Sequence, residues 1–432
     1  MGGTLFFTAE DGNHGRELWR SDGTEAGTVL VMDIQPDTSS YGPNWLTAVG
    51  AELFFTADDG THGPELWKSD GTRAGTVLVK DIKPGGAAYG VYGTSFLTAV
   101  GGELFFVADD DIHGAELWKS DGTQAGTVLV KDIYPGTRRS GPASSSPYNL
   151  TAVDGHLYFV ADDGRHGREL WRSDGTQAGT TMVKDIRRGR PDSDPSSLAA
   201  LGTRLFFAAR DKRHGVELWK SDGTKGGTSL VKDIVPGKHH GSPSALTALG
   251  RKLFLTAFDD THGQELWKTD GTKRGTVVVK DIRPGEYGSS PSQLTAVDKK
   301  LFFSASDGVH GRELWRSSGR RSGTVLVKDI WPRDYDSYPY SLTTAGGRLF
   351  FTARDGVHGQ ELWRSNGRRS GTRLVEDIDP CATGSSLFSL TRVGTTLFFA
   401  AADGSHGQEL WKSDGSASGT VMVKDINTTQ DQ

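Results

Sequence analysis

Asp, His and Glu recur in this chain at one fixed spacing, Asp-x-x-His-Gly-x-Glu-Leu-Trp, and all three residue types can move protons or hold hard metal ions. In the stretch ADDGTHGPELWKSDGT, residues 57–72, the motif is Asp59, His62, Glu65 and Trp67; a later copy reads Asp259, His262, Glu265 and Trp267. Met once, such a stretch suggests a metal site or a proton-transfer centre. It is met nine times, with Glu-Leu-Trp beginning at Glu17, Glu65, Glu116, Glu169, Glu217, Glu265, Glu313, Glu361 and Glu409. A reaction centre needs one convergent set of groups, whereas these are dealt out to nine separate repeats. Architecture is therefore the better reading. A His in a tight inter-strand loop, near an Asp and followed by Gly, is placed to hydrogen-bond loop backbone and to satisfy polar groups that repeat-to-repeat packing buries. WD-type blades use an Asp, His, Thr/Ser and Trp network in the same spirit, by analogy only. No metal, cofactor or catalytic residue is assigned to the motif.

The elements that must position these residues are legible in the repeat starting at Leu46. Four short runs follow one another, LTAV (46–49), LFFTA (53–57), ELWKS (65–69) and TVLVKDI (76–82). Each is rich in Val, Phe, Trp, Leu or Thr and is bounded by Gly, Asp or Pro, as strands are. None keeps a helical period. Six of the eight steps between triplets are 48 residues, the others 51 and 53. Four strands per step, repeated without linkers, predict an all-β fold: one β-propeller of nine four-stranded blades over residues 1–426, with 427–432 as a tail. A solenoid is the alternative, but its coils ask for shorter repeats and polar caps.

The links at 50–52 and 70–75 are short and contain glycine, as hairpins require, while 83–96 is long. The long link should join the outer strand of one blade to the inner strand of the next, which makes LTAV innermost and TVLVKDI outermost. The chain opens at Leu5-Phe6-Phe7, so the first blade is expected to lack its inner strand, and the polar tail NTTQDQ cannot replace it. Either that blade is three-stranded, or the natural protein extends upstream. Strand alternation puts Glu65 and Trp67 on one face and Leu66 on the other, so the repeated tryptophans read as inter-blade packing. SDGT reads as a turn, with glycine at positive φ and Asp bonding nearby N–H groups; Ser318 and Asn366 can replace that Asp.

Composition narrows the function classes. With a net charge of −5 over 432 residues, nothing draws the chain globally to nucleic acid or anionic membrane. Its one cysteine, Cys381, rules out an intrachain disulfide framework and any Cys-based zinc site. No apolar run approaches the roughly 18 residues a membrane span needs, so no insertion is expected. The opening MGGTLFF lacks a basic region and a cleavage site, so no signal peptide is expected in this chain.

Glu-Leu-Trp-x-x-Asp-Gly-Thr is complete in six repeats and becomes ELWRSSGR, ELWRSNGR and ELWKSDGS in the last three. On these residues the chain resembles the bacterial ELWxxDGT-repeat proteins, over residues 4–426. The resemblance implies a cell-surface or secreted protein without an established catalytic activity. It marks a family rather than a function.

Function is then to be sought where the repetition breaks. The long connections hold nine of the ten tyrosines, Tyr41, Tyr89, Tyr92, Tyr134, Tyr148, Tyr287, Tyr335, Tyr338 and Tyr340, together with Trp45 and Trp331, the two tryptophans outside Glu-Leu-Trp. The densest stretch is WPRDYDSYPY, residues 331–340. Tyr and Trp give large contact area at low entropic cost, as recognition loops often do. The candidate ligand-binding residues are Trp331, Asp334, Tyr335, Asp336, Tyr338 and Tyr340, with Trp45, Tyr41, Tyr89 and Tyr92. The competing reading is that these rings only pack their own loops. The basic pairs Arg138-Arg139, Arg187-Arg188, Arg320-Arg321 and Arg368-Arg369 read as solvated loop charge that could also meet an acidic glycan or protein. His156, His239 and His240 are the histidines outside the motif. No nucleophile motif, phosphate-cradling loop or isolated carboxylate pair stands out. The sequence thus points to a non-enzymatic, monomeric binding or adhesion scaffold that recognises a protein or glycan through a loop-rich rim. A lyase or hydrolase with a channel-centred site, and an inert structural repeat, are the alternatives.

Overall fold

Alternating apolar residues produce a strand at each predicted run. In the second repeat the strands are Asn44–Val49, Glu52–Ala57, Glu65–Ser69 and Val77–Lys80, paired antiparallel in chain order. The structure, a computed structural model, describes residues 1–36, 42–84, 97–139, 141–380 and 384–428. Among the described residues, eight repeats form such four-stranded sheets and the first forms a three-stranded one, Leu5–Glu10, Arg16–Ser21 and Val29–Met32. The fold is a β-propeller of nine blades. By its internal contacts the chain divides into two compact units. One comprises Met1–Asp22, Ala26–Gly215 and Trp219–Leu230, the other Gly23–Glu25, Val216–Leu218 and Val231–Gln432.

First strands of consecutive blades lie side by side, as expected of innermost strands. In the first unit Tyr148–Val153 neighbours Ser196–Leu201; in the second Ser244–Leu249, Ser292–Val297, Tyr340–Ala345 and Phe388–Val393 follow one another. Most of these strands begin two residues before the run the alternation predicts. A bulge separates the first residue from the rest, as between Asn44 and Thr47, and the residue inside it has positive φ: Trp45 at 59°, Asn149 at 56°, Ser341 at 52°. The bulge breaks the period of two, which hides the strand's start from a pattern search. Trp45, Tyr148 and Tyr340 therefore sit on inner strands rather than in connections.

The two faces of each third strand pack in opposite directions. Leu66 joins Phe54, Val79 and Ile82 of its own blade against Leu104, Phe106, Ala108 and Trp118 of the next. Trp67 packs backwards, onto Leu18, Val31 and Ile34 of the first blade. The inter-blade reading of the tryptophans holds. Each such side chain, nearly free of solvent, contributes on the order of 1.5–3 kcal/mol. The outer strand adds a polar clasp: Lys80 Nζ donates to the Thr127 carbonyl of the next blade at 2.8 Å and lies 5.8 Å from the Trp118 ring centroid. Lys232, Lys280 and Lys328 repeat the arrangement towards Thr276, Thr324 and Thr372.

The SDGT turn is built as read. Asp70 Oδ1 accepts the Thr72 N–H at 2.8 Å and its hydroxyl at 2.7 Å, and Gly71 has φ +92°. Sequence did not show the second demand on that glycine. A Cβ there would meet Phe6 Cζ of the previous blade at 2.9 Å.

Candidate functional site

The repeated motif resolves into separate devices rather than one network. In the loop, Asp59 Oδ1 accepts the N–H of Thr61 and His62 at 2.9 Å each, while Oδ2 meets His62 Nδ1 at 2.8 Å. Asp259 holds His262 in the same way. The hydrogen bond His62 donates to Asp59, then the charge of that carboxylate, raises the His62 pKa. The Asp59 carboxyl is held low: burial works the other way, but the His62 and Thr61 bonds outweigh it. These rings are not buried, since His62 keeps 38% and His262 33% of its side chain exposed. The expected satisfaction of buried groups by the histidine is thus corrected: His and Asp tie the loop to itself, in partial contact with water.

The buried polar work falls to the glutamate. Glu116 Oε2 accepts the Ile133 N–H at 3.1 Å and the Ser145 hydroxyl at 2.5 Å; Oε1 accepts the N–H of Tyr134 at 3.3 Å and of Ser145 at 2.9 Å. Both ends of the long connection are thereby tied to the third strand. Burial pushes Glu17, Glu65, Glu116, Glu169, Glu217, Glu313 and Glu361 up to about 7, against the pull of these hydrogen bonds. Sequence reasoning missed this role. The available signal was a serine 24 residues after four of the glutamates, Ser193–Glu169, Ser289–Glu265, Ser337–Glu313 and Ser385–Glu361, whereas Ser145 follows Glu116 by 29.

The same device holds the aromatic-rich connection. Glu313 accepts the Trp331 N–H at 3.3 Å and the Ser337 hydroxyl at 2.7 Å, while Asp336 Oδ1 accepts the Arg312 N–H at 2.6 Å. The Trp331 ring stacks on Tyr335, centroids 5.1 Å apart, and stands so close over the next blade's Gly356 that a Cβ there would lie 2.4 Å from Nε1. Tyr134 covers Gly164 in the same manner, and Lys83 pairs with Asp111 at 2.7 Å where that glycine is missing. Trp331 and Asp336 are thus loop-packing residues, as the competing reading has it.

The tyrosines differ. Tyr335, Tyr338 and Tyr340 are 49%, 53% and 58% exposed, and Asp334 is exposed beside them. Tyr338 has φ 45°, where corresponding positions carry Ser146, Asp194, Ser242, Ser290 and Ser386 at similar angles. A bulky residue in the left-handed region costs roughly 1–2 kcal/mol, so packing alone gives no reason for it. Its hydroxyl hydrogen-bonds Asp336, which pushes its pKa up. Phe388, 50% exposed at the position equivalent to Tyr340, adds a ring on the neighbouring inner strand. A count of Tyr and Trp alone passes over it. Trp45 is 41% exposed in the first compact unit. Tyr148 turns inward; burial pushes it up to about 12, and it lines a mostly apolar cleft of about 370 Å³ with Val107, Ala115 and Pro147. Tyr41, Tyr89 and Tyr92 lie outside the described residues.

Among the described residues no three His, Cys, Asp or Glu side chains converge to hold a metal ion, and no helix is long and apolar enough to cross a membrane. No protein-family model and no curated protein matches the chain. Solved structures do. A puromycin hydrolase S511A mutant complexed with PGG is 15% identical, with a TM-score of 0.42 over 83% of this chain and 58% of its own. The computationally designed Ika8 protein is 15% identical, with a TM-score of 0.45 over 84% and 94%. Prolyl oligopeptidase B from Galerina marginata is 12% identical, with a TM-score of 0.46 over 78% and 50%. The chain thus spans about half of the length of the hydrolase and of the oligopeptidase. At these scores the likeness carries no argument about activity.

Proposed function

We propose that the protein is a non-enzymatic binding scaffold that captures a protein or glycan on the loop-bearing end of its blades, with the connection 331–340 as the main contact. One observation carries this reading: Tyr335, Tyr338 and Tyr340 stand about half exposed on a connection otherwise tied down by Glu313, Trp331 and Asp336. Rings held in place at their backbone and about half exposed lose little entropy on binding and offer surface to sugar rings or apolar side chains. Asp334 would accept hydrogen bonds from hydroxyls. The resemblance to ELWxxDGT-repeat proteins favours a secreted or cell-surface setting.

The test is a glycan and extracellular-protein screen of the wild type beside a variant whose residues 331–340 are replaced by the corresponding connection of the sixth repeat, 283–292. A ligand that binds the wild type and not the replacement supports the reading. Equal binding by both would favour a different surface.

A further inference from the structure

At the other end of the eighth blade, away from the long connections, the link before Arg348 and the turn 366–372 enclose a polar cavity of about 310 Å³. It is lined by Arg348, Arg364, Arg373, Ser365, Asn366, Ser370 and Gly371. Three arginines line it, and no carboxylate does. Arg204, Lys252 and Lys300 place a cation at the Arg348 position in the fifth, sixth and seventh blades as well, and what sets the eighth apart is Arg373 beside it. Where the eighth blade has Arg348 and Arg364, the second pairs Glu52 with Lys68 at 2.8 Å and the third Glu103 with Lys119 at 3.0 Å. Asn366 replaces the aspartate of the turn, Asp70 in the second blade. Arg373 opens the outer strand where Val77, Val128, Val277, Val325 and Val421 open theirs. Relative to the second blade, these four differences remove two acids and add two cations, and Arg368 and Arg369 lie on the same turn. The nearby acid, Asp414 of the ninth blade, accepts the Ser416 N–H at 2.8 Å and its hydroxyl at 2.7 Å and feels the charge of Arg348, so one carboxylate offsets part of the three positive charges without lining the cavity.

Three guanidinium groups around one cavity repel one another unless an anion joins them. Arginine's planar fork matches tetrahedral oxyanions through paired hydrogen bonds. The Ser365, Asn366 and Ser370 side chains add polar partners around the rim. We infer that the cavity bounded by Arg348, Arg364 and Arg373 binds a tetrahedral oxyanion, the sulfate or phosphate ester group of a larger ligand. The site is independent of the aromatic connection, so either can fail without the other.

The repeat itself supplies variants that the fold accepts. Arg373→Val with Asn366→Asp writes the second blade's residues into the eighth, and Arg348→Glu with Arg364→Lys writes in its ion pair. Calorimetric titration of the wild type with inorganic sulfate and inorganic phosphate should show one site per chain, weakened by added chloride, with acetate binding at least about tenfold more weakly. Glucose 6-sulfate against glucose 6-phosphate then distinguishes the two ester sources. Each double variant should lose at least about tenfold in affinity while keeping the wild-type melting temperature. No saturable binding of sulfate or phosphate by the wild type, or the same affinity in both variants, would overturn the inference.

Discussion

At the scale of single residues, the chemically suggestive motif separates by burial. Glu116 is fully enclosed and satisfies four donors, so Glu116→Ala should cost roughly 2–4 kcal/mol through the N–H and hydroxyl groups it strands. His262 is one-third exposed and gives up one bond to Asp259, whose other partners are backbone N–H groups of the same loop. His262→Ala should cost less than about 1 kcal/mol. Urea unfolding of the two variants decides between them; equal losses would mean that the histidine shares the buried load. Sequence made Asp, His and Glu equally conspicuous, because all three recur in every repeat. What it withheld was solvent access. Burial of Glu116 depends on a connection that folds back from 29 residues downstream, and no local pattern records that return.

At the scale of elements, the strands were legible because half-buried sheets impose a period of two, and the turns because Asp-Gly has few alternatives. The inner-strand starts were not, since a bulge inserts a residue at positive φ and shifts the period. This displaced Trp45, Tyr148 and Tyr340 from connection to strand. The contact between blades was half legible: Leu66 and Trp67 announce two faces, but nothing in the sequence says that Phe6 of one blade closes over Gly71 of the next. Gly71→Ala combines a forbidden φ with a 2.9 Å approach, and a loss of about 2 kcal/mol or more is expected in urea melts. Gly50, with φ +61° and nothing within 4 Å of an added Cβ, suffers only the first effect. Gly50→Ala should therefore be the milder change, and the reverse order would contradict the packing assigned to the turn.

At the scale of the whole molecule, the repeated groups act in concert on stability. A glutamate raised from 4.5 to about 7 keeps in the fold a proton that the unfolded chain has released, so its contribution is full below 4.5 and is lost as pH climbs to about 7. His62 is likewise raised from 6.5, so its contribution disappears as pH rises through its folded value. Asp59, held below 3.8, works in the opposite sense and loses its contribution only as pH falls through that lower value. The urea midpoint should therefore be higher near pH 5 than near pH 8, with a decline again in strong acid; a higher midpoint at pH 8 would count against the buried glutamates as described.

Repetition of this kind leaves the connections free to differ, and the tyrosines on 331–340 are where that freedom is used most. Buried aromatic anchors contribute about 2 kcal/mol or more when truncated, which is over tenfold in affinity. The measurement that bears most directly on the account is the dissociation constant of the Tyr338→Ala, Tyr340→Ala double variant for a ligand of the wild type, taken with its urea midpoint. The account predicts affinity weakened well over tenfold and an unchanged midpoint, because both rings are exposed. Unchanged affinity together with a lowered midpoint would show that these tyrosines only pack their own loop.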